Sequence, residues 1–501
     1  MSGLKSTTRG LPSSFGSIAY LVCICVLIAS FVALLVPGFA ITRLWEDEAY
    51  NLSVPLSVAR GDGYSSFGVL IGSVPTSFDF RISTGPVVLL PIAVPLLLGV
   101  DPVLAGRGVM AAFAVLLAVA AFAVGRQHGG RWGGAAAVGV VLAFNGGITD
   151  SPVQGLTDVL GEMPAAAFTL LAIRFLRSRP WLAGLFVGIA IQCKNLAVLS
   201  VPALLVVLVI TMGPQLRRRL LAAGGFIGTT IIPTTLFESA KLIALGRSAY
   251  VTSTRDSYYF LRSGGQSGFD SPPLDKVRTL LAAWGLPIVV VLLLVVGLVV
   301  LSLLDLRTGA GTSATGWLLA ALLFGSWVGW WLVSIHQPVW IRHPSPGVLA
   351  VGALVAGLGV GALRAVGSRG PAIRTNRPPS LVILAGTLAL VALGWSIGAR
   401  VAFAYHPVGE TLADQRTAAA LVDGLPGDRI RGDWGPMVPI ALLADRPPVL
   451  AGDDEDTSGI WLLPVWRDLD REELARAGAD RACGAGSAML ADGYVYCSAS
   501  N

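Results

Sequence analysis

Long apolar runs recur along this chain and constrain its fold more than any other feature. The first run, at 18–41, is long enough to cross roughly 30 Å of hydrocarbon as a helix. Apolar residues make up 54% of the sequence and charged residues only 13%, against about 25% charged residues in an average soluble domain. A soluble core has no need of so many unbroken apolar runs. The sequence therefore predicts an all-α polytopic membrane protein.

Lysine and arginine residues occur in short clusters between the apolar runs. Positive residues favour the cytoplasmic side of a membrane, so the clusters indicate topology and do not call for a nucleic-acid partner, although the net charge is +6. We therefore expect about eleven crossings, with the N-terminus in the cytoplasm. The clusters that set this order are Lys5 with Arg9 and those at 126–131, 174–179, 217–219 and 364–377.

The apolar runs all lie in the first of two predicted domains. Residues 1–399 form the transmembrane domain, and its first outer loop spans 42–107. A later outer loop is predicted at 238–278, with Tyr258 and Tyr259 as interface aromatics.

The chain after the last apolar run has a different composition, with acidic clusters and alternating, strand-like segments. We predict a small extracytoplasmic α/β domain at 400–501. It has a helical pattern at 412–425 and a strand-like alternation at 494–496. Cys483 and Cys497 lie in this domain and could form a disulfide in an oxidising compartment.

Three consecutive carboxylates, Glu46, Asp47 and Glu48, follow the first apolar run. Carboxylates at the mouth of a membrane helix are unfavourable unless something uses them. Adjacent residues do not share a face of a helix or strand, so one carboxylate could act on a substrate while its neighbours anchor the backbone. The alternative is a solvated acidic turn in which Trp45 and Tyr50 are interface aromatics.

The predicted topology places further charged residues on the same outer side. Converging carboxylates and cations can divide the work of an enzyme, because an anion can act as a base while cations hold a charged substrate such as a lipid-linked phosphate. These residues are Asp158 and Glu162 in the second outer loop, Lys194 at the apex between two short spans, and Arg342 with His343 in a later outer loop.

Three of these charges also have an ordinary structural explanation. Lys194 could be an interfacial lysine that snorkels from a short helix. Arg342 could simply end a helix, and Glu162 could favour the start of the helix that follows it.

The stretch from Trp45 to Tyr50 resembles the acidic motif of the glycosyltransferase C superfamily, particularly its protein O-mannosyltransferase and lipid A aminoarabinose transferase branch. Further stretches resemble motifs of that branch in the expected order, over roughly residues 18–208. They are Ser-Thr-Gly-Pro at 83–86, Gly-Val-Asp at 99–101 with Arg107, the acidic stretch 157–164 before a proline, and the Gly-rich run 183–190 leading to Lys194.

The resemblance implies a glycosyltransferase C fold and a polyprenyl-phosphate-linked sugar as donor. The enzyme would transfer a monosaccharide, with inversion, to a protein, lipid or polysaccharide acceptor on the extracytoplasmic face. Asp47 would be the general base, with Glu48 as a second candidate catalytic residue. Lys194 and Arg342 would hold the leaving phosphate, and Glu162 would orient the acceptor or Lys194.

The chain departs from this family at one motif. Family members often have a basic residue before the proline of the motif at 83–86, so phosphate binding there could pass to Arg81 or to backbone amides. Asp158 and Tyr50 complete the candidate binding set.

No metal ion or other cofactor is expected, because the sequence contains no ligand cluster at a recognised spacing. The competing function is a transporter or a flippase for lipid-linked saccharides. Such a protein would favour pseudo-repeated halves and charges near the bilayer midplane. The sequence shows no repeat, and its predicted charges lie at one face.

Overall fold

Helices make up most of the chain, as the apolar runs predict. The computed structural model describes residues 13–68, 75–146, 154–262, 271–285, 311–368, 379–407, 409–425, 430–432, 434–435, 437–450, 460–464, 489–491 and 494–498. The helices are Ser13–Leu35, Pro37–Ala40, Glu46–Arg60, Pro86–Leu97, Pro102–Phe144, Glu162–Phe175, Pro180–Cys193, Ser200–Thr211, Leu216–Arg262, 273–285, Gly311–Phe324, Trp330–Val333, Ser345–Ser368, Pro379–Tyr405, Leu412–Asp423 and Met437–Leu443, with a 3-10 turn at Asn195–Leu199 and a π-helical segment at Gly325–Gly329.

Several of these helices can cross a membrane. Within the ranges given above, five are long and apolar enough to do so, and four more are apolar but shorter. The predicted total of about eleven crossings includes residues outside those ranges, so it stays a prediction. The five long spans are Gly16–Ala40, Pro102–Phe144, Leu216–Phe260, Ala314–Val333 and Ser345–Arg364.

The helix Pro102–Phe144 is two antiparallel spans joined at a glycine. Its 43 residues would extend about 65 Å as a straight rod, roughly twice the hydrocarbon thickness. Gly130 breaks it with φ 61° and ψ −159°. A side chain at Gly125 would come within 2.3 Å of the carbonyl oxygen of Gly133, so the two halves pack directly against each other. This confirms the turn predicted from the basic cluster at 126–131.

The outer loop predicted at 238–278 is wrong over its first part. The helix Leu216–Arg262 continues through it and bends at Gly246, which has φ 73° and ψ 165°. The stretch 238–245, Glu-Ser-Ala-Lys-Leu-Ile-Ala-Leu, consists mostly of residues that favour helices. Tyr258 and Tyr259 lie near the end of this helix and are 60% and 58% exposed.

The C-terminal domain contains a mixed five-stranded sheet, as an α/β domain requires. Its first helix is Leu412–Asp423, which agrees with the helix predicted at 412–425. Cys483 lies outside the described residues, so the disulfide with Cys497 stays a prediction. The strands, in their order across the sheet, are Pro448–Leu450, Ile430–Gly432, Ile460–Pro464, Tyr494–Ser498 and Met489–Ala491, the first three parallel and the last two antiparallel to their neighbours.

The last membrane helix extends past the predicted domain boundary at residue 400. Helix Pro379–Tyr405 carries Arg400, which is almost fully buried. Its guanidinium donates hydrogen bonds to the carbonyl oxygens of Ala143 at 2.5 Å and Gly146 at 2.9 Å. Arg400 therefore ties this helix to the end of Pro102–Phe144.

Candidate active site

The helix Glu46–Arg60, here named the first outer helix after the outer loop predicted at 42–107, carries the acidic stretch on its first turn. Trp45 precedes it in an extended conformation, with φ −75° and ψ 154°. Negative charges are favourable at this end of a helix because of the helix dipole. The Glu48 carboxylate also accepts a hydrogen bond from the Trp45 backbone N–H at 3.4 Å, which caps the helix. Of the three carboxylates, Glu48 is thus the one that caps the helix.

Glu48 is fully buried and bound by Arg107. Arg107 Nε lies 2.9 Å from Glu48 Oε1, and Arg107 Nη2 lies 3.0 Å from Oε2, a bidentate pair with neither side chain exposed. Arg107 also donates to the backbone carbonyls of Thr42 at 2.8 Å and Arg43 at 2.9 Å. The pair therefore fixes the chain just before the first outer helix, and both oxygens of Glu48 are occupied.

Asp47 is the most accessible of the three carboxylates. Its side chain is 35% exposed, against 17% for Glu46 and none for Glu48. Asp47 forms an ion pair with Nη1 of Arg342, whose side chain is only 9% exposed. The Arg342 guanidinium also lies over the ring of Trp340, 4.5 Å from its centroid. Two predicted site residues from distant parts of the chain therefore meet directly.

Lys194 lies at a break between two helices, as the apex predicted there requires. Helix Pro180–Cys193 ends at Lys194, whose backbone is extended, with φ −150° and ψ 119°. Lys194 Nζ lies 2.8 Å from Glu162 Oε1 and donates to Ser83 Oγ at 2.8 Å. The lysine therefore reaches the 83–86 motif, where the resembling family often has a basic residue of its own.

Two glycines hold this break in place. A side chain at Gly85 would lie 2.0 Å from the carbonyl oxygen of Gln192, and one at Gly161 would lie 2.0 Å from that of Cys193. The Gly85 N–H also donates to the Cys193 carbonyl at 3.0 Å. The backbone before Lys194 is thus enclosed on two sides at distances that no larger residue allows.

The cations of the site lie near one another. The pKa of His343 is held well below its usual value by burial and by the positive charges of Arg342, Lys194 and Lys276. Burial alone would lower the pKa of Arg342, but the charges of Asp47 and Glu162 outweigh it and raise that pKa. The site therefore combines several cations with a neutral imidazole.

Asn51 joins three of the sequence motifs. Its Nδ2 donates to Thr84 Oγ1 at 2.9 Å and to the Val159 carbonyl at 2.7 Å. Asp158 lies next to Val159 and accepts a hydrogen bond from the Gly155 N–H at 2.7 Å. Burial, together with the charge of Glu48, raises the pKa of Asp158 to about 6. Asp158 therefore belongs to the buried support of the site.

Tyr50 and Arg81 converge on a carboxylate that the sequence did not single out. The Tyr50 hydroxyl donates to Asp79, and the Ser66 hydroxyl donates to Asp79 Oδ2 at 2.6 Å. Arg81 Nη1 lies 3.7 Å from Asp79 Oδ1. Burial and the charge of Asp79 raise the pKa of Tyr50, so its hydroxyl stays protonated. This network joins the loop that follows the helix to Tyr50, which lies about one helical turn after Asp47.

Other residues near the site were missed. Lys276 is fully buried and donates to the carbonyls of Trp331 and Ser334, both at 2.7 Å. An isolated lysine at the start of an apolar run was the available signal for it. Gln415, from the C-terminal domain, contacts Leu44, and nothing in its local sequence indicates this.

Among the described residues, no group of three or more His, Cys, Asp or Glu side chains is placed to hold a metal ion.

The membrane helices, the acidic first outer helix and the broken helix at Lys194 define a class of protein. The chain is a multi-pass membrane protein with the glycosyltransferase C fold, which confirms the fold that the resemblance in its sequence implies. No protein-family model matches the sequence, and no curated protein matches it.

Particular solved structures share this fold at low sequence identity. The crystal structure of ArnT from Cupriavidus metallidurans bound to undecaprenyl phosphate is 12% identical, over 97% of this chain and 98% of that one, with a TM-score of 0.60. ArnT in the apo state is 13% identical at the same coverage and TM-score. The archaeal oligosaccharyltransferase AglB from Archaeoglobus fulgidus, in complex with an inhibitory peptide and a dolichol-phosphate, is 11% identical over 90% of this chain and 70% of that one, with a TM-score of 0.55.

Proposed function

We propose that this protein is a membrane glycosyltransferase that moves one sugar, a hexose or pentose, from a polyprenyl-phosphate carrier to an extracytoplasmic acceptor. The observation that carries the proposal is the contact between the accessible carboxylate of Asp47 and the buried guanidinium of Arg342, with Lys194 nearby. The carboxylate proposed as the base and the cations proposed to bind phosphate are thus neighbours. The presence of polyprenyl phosphates in the similar structures of ArnT and AglB supports the donor class.

In the proposed reaction Asp47 accepts the proton of the acceptor hydroxyl as its oxygen attacks the anomeric carbon. A positioned base of this kind contributes about a hundredfold or more to the rate. The bond between that carbon and the phosphate oxygen breaks, and the electron pair leaves with the polyprenyl phosphate. Lys194 and Arg342 stabilise the negative charge that develops there. Attack from the side opposite the phosphate inverts the anomeric configuration.

The remaining candidate residues support these groups. Glu162 holds Lys194, and the pair Glu48 and Arg107 fixes the start of the helix that carries Asp47. The proposal also keeps the predicted orientation, with a cytoplasmic N-terminus, a transmembrane domain at 1–399 and an extracytoplasmic domain at 400–501. No metal ion takes part in it.

The test uses the purified protein in lipid with a panel of radiolabelled polyprenyl-phosphate monosaccharides. Asp47→Asn keeps the size of the side chain but removes the base, so release or transfer of the sugar should fall at least about a hundredfold while the donor still binds. Glu46→Gln is the matched control, because it removes a neighbouring carboxylate that pairs with Arg43 instead.

Turnover that survives Asp47→Asn would leave the enzyme class intact and contradict the assignment of the base. Donor binding without any turnover in the wild type would contradict the transferase and favour a flippase for lipid-linked saccharides. Transport across the membrane would then be the next assay.

A further inference from the structure

The C-terminal domain binds the backbone just before the first outer helix through hydrogen bonds. Gln415 on the helix Leu412–Asp423 is fully buried, and its side chain bonds both polar groups of one residue. Its Oε1 accepts from the Leu44 N–H at 2.7 Å, and its Nε2 donates to the Leu44 carbonyl at 3.0 Å. Its Nε2 also donates to Glu410 Oε2 at 2.9 Å. Leu44 itself is fully buried.

Further backbone contacts join the C-terminal domain to the same linker. The Leu412 N–H donates to the Ile41 carbonyl at 3.0 Å, and Thr42 pairs with Thr411 as an antiparallel bridge. Buried backbone groups need partners, and a linker between two helices has no regular ladder to supply them. Here the C-terminal domain supplies them on one side, while Arg107 binds neighbouring carbonyls from the other.

We infer that Gln415 is a positioning residue for Asp47, an inference that rests on the proposed function. Leu44 lies three residues before Asp47 and one before Trp45, the residue that caps the helix. A shift of this linker moves the first turn of the helix and its carboxylate with it. Misplacing a reacting group by about 1 Å can lower a rate about a hundredfold.

Glutamine suits this position because its amide is one neutral group with both an acceptor and donors. Gln415→Glu keeps the length but loses the donor toward the Leu44 carbonyl and places negative charge beside Glu410. Gln415→Ala removes both hydrogen bonds to Leu44. The matched control is Arg416→Gln on the same helix, whose partner Asp101 is reached through an exposed pair at 3.1 Å.

The test compares these variants of the full-length protein in lipid. Both Gln415 variants should lower kcat about ten- to hundredfold while the affinity for undecaprenyl phosphate stays within about twofold of the wild type. Arg416→Gln should leave both quantities unchanged. An unchanged kcat in the Gln415 variants, or a loss of lipid affinity as large as the loss of kcat, would overturn the inference.

Hydrogen exchange gives a second readout that needs no turnover. The peptide that contains Leu44 should exchange faster in Gln415→Glu than in the wild type, and Arg416→Gln should leave it unchanged. Equal exchange in all three proteins would show that Gln415 does not hold the backbone of Leu44 in place. A wild type that transfers no sugar would refute the proposed function instead, and the exchange result would still stand on its own.

Discussion

Asp47 and Arg342, from distant parts of the chain, form an ion pair. The proposed base and the arginine proposed to bind phosphate therefore neutralise each other in this pair. Arg342 cannot give its full charge to a phosphate while Asp47 holds it. A donor phosphate that draws Arg342 away would free Asp47 as a base at the moment when the sugar is in place.

Asp47→Asn should therefore bind polyprenyl phosphate more tightly than the wild type. The pair is partly exposed on the Asp47 side, so we expect a gain of about two- to fivefold, equivalent to about 0.4–1 kcal/mol. Titration of the purified protein with undecaprenyl phosphate measures it. Glu46→Gln should change the affinity less, because Glu46 pairs with Arg43. Equal affinities for the wild type and Asp47→Asn would show that Asp47 does not compete with the lipid.

Removing Glu48 should destabilise the protein much more than removing Glu46. Glu48→Ala leaves the guanidinium of Arg107 buried without its carboxylate, which costs about 3–5 kcal/mol. Glu46→Ala breaks a partly exposed pair worth about 1 kcal/mol or less. Thermal unfolding in detergent compares the two. Similar melting temperatures would contradict the structural role of the pair between Glu48 and Arg107.

Gly161→Ala should displace Lys194 and lower both stability and donor affinity. The new methyl group would lie 2.0 Å from the Cys193 carbonyl oxygen, so the backbone before Lys194 has to move. Gly224→Ala is the control, because no atom lies within 4 Å of its new methyl group, and alanine favours the helix there. Melting temperature and undecaprenyl phosphate binding measure the effect. A Gly161→Ala protein that matches the control would show that the break tolerates a side chain.

Asp158 should make the folded protein less stable as the pH rises. Its pKa is raised from 3.8 to about 6 in the folded protein, so the folded state holds this proton more tightly than the unfolded state. Its contribution to stability is full below about pH 4 and is lost as the pH rises through about 6.

Asp158→Asn cannot titrate, and its amide oxygen can still accept from the Gly155 N–H. The melting temperature of this variant minus that of the wild type should increase between about pH 4 and pH 6 and then level off. The exposed Asp275→Asn serves as the control. A difference for Asp158→Asn that is constant with pH would contradict the raised pKa.

The sequence predicts the helical fold and the break between helices at Lys194, because apolar run lengths and basic clusters are local signals. The apolar runs before and after Lys194 are both short, and the polar residues between them mark where the chain turns. The roles of Asp47 and Glu48 could not be separated in this way. They are adjacent and chemically alike, and only the packing of Arg107 against Glu48 distinguishes them.

Other features lie beyond local patterns. The helix after Phe237 was missed because the apolar run ends there, although the residues that follow favour a helix. Asp79 gathers Tyr50, Ser66 and Arg81 through contacts that depend on how the outer loop folds. Gln415 resembles any polar residue of an amphipathic helix until its partner is known.

Leu44 and Gln415 are 371 residues apart in the chain. Synthesis runs from the N-terminus, so Leu44 is made long before its partner. A nascent or truncated chain that ends before residue 412 carries Asp47, Lys194 and Arg342 in full, yet the linker before the first outer helix lacks its second support. A segment made late in synthesis thus completes the support of one made early, and the linker before Asp47 gains its last contacts only after residue 415 has been made.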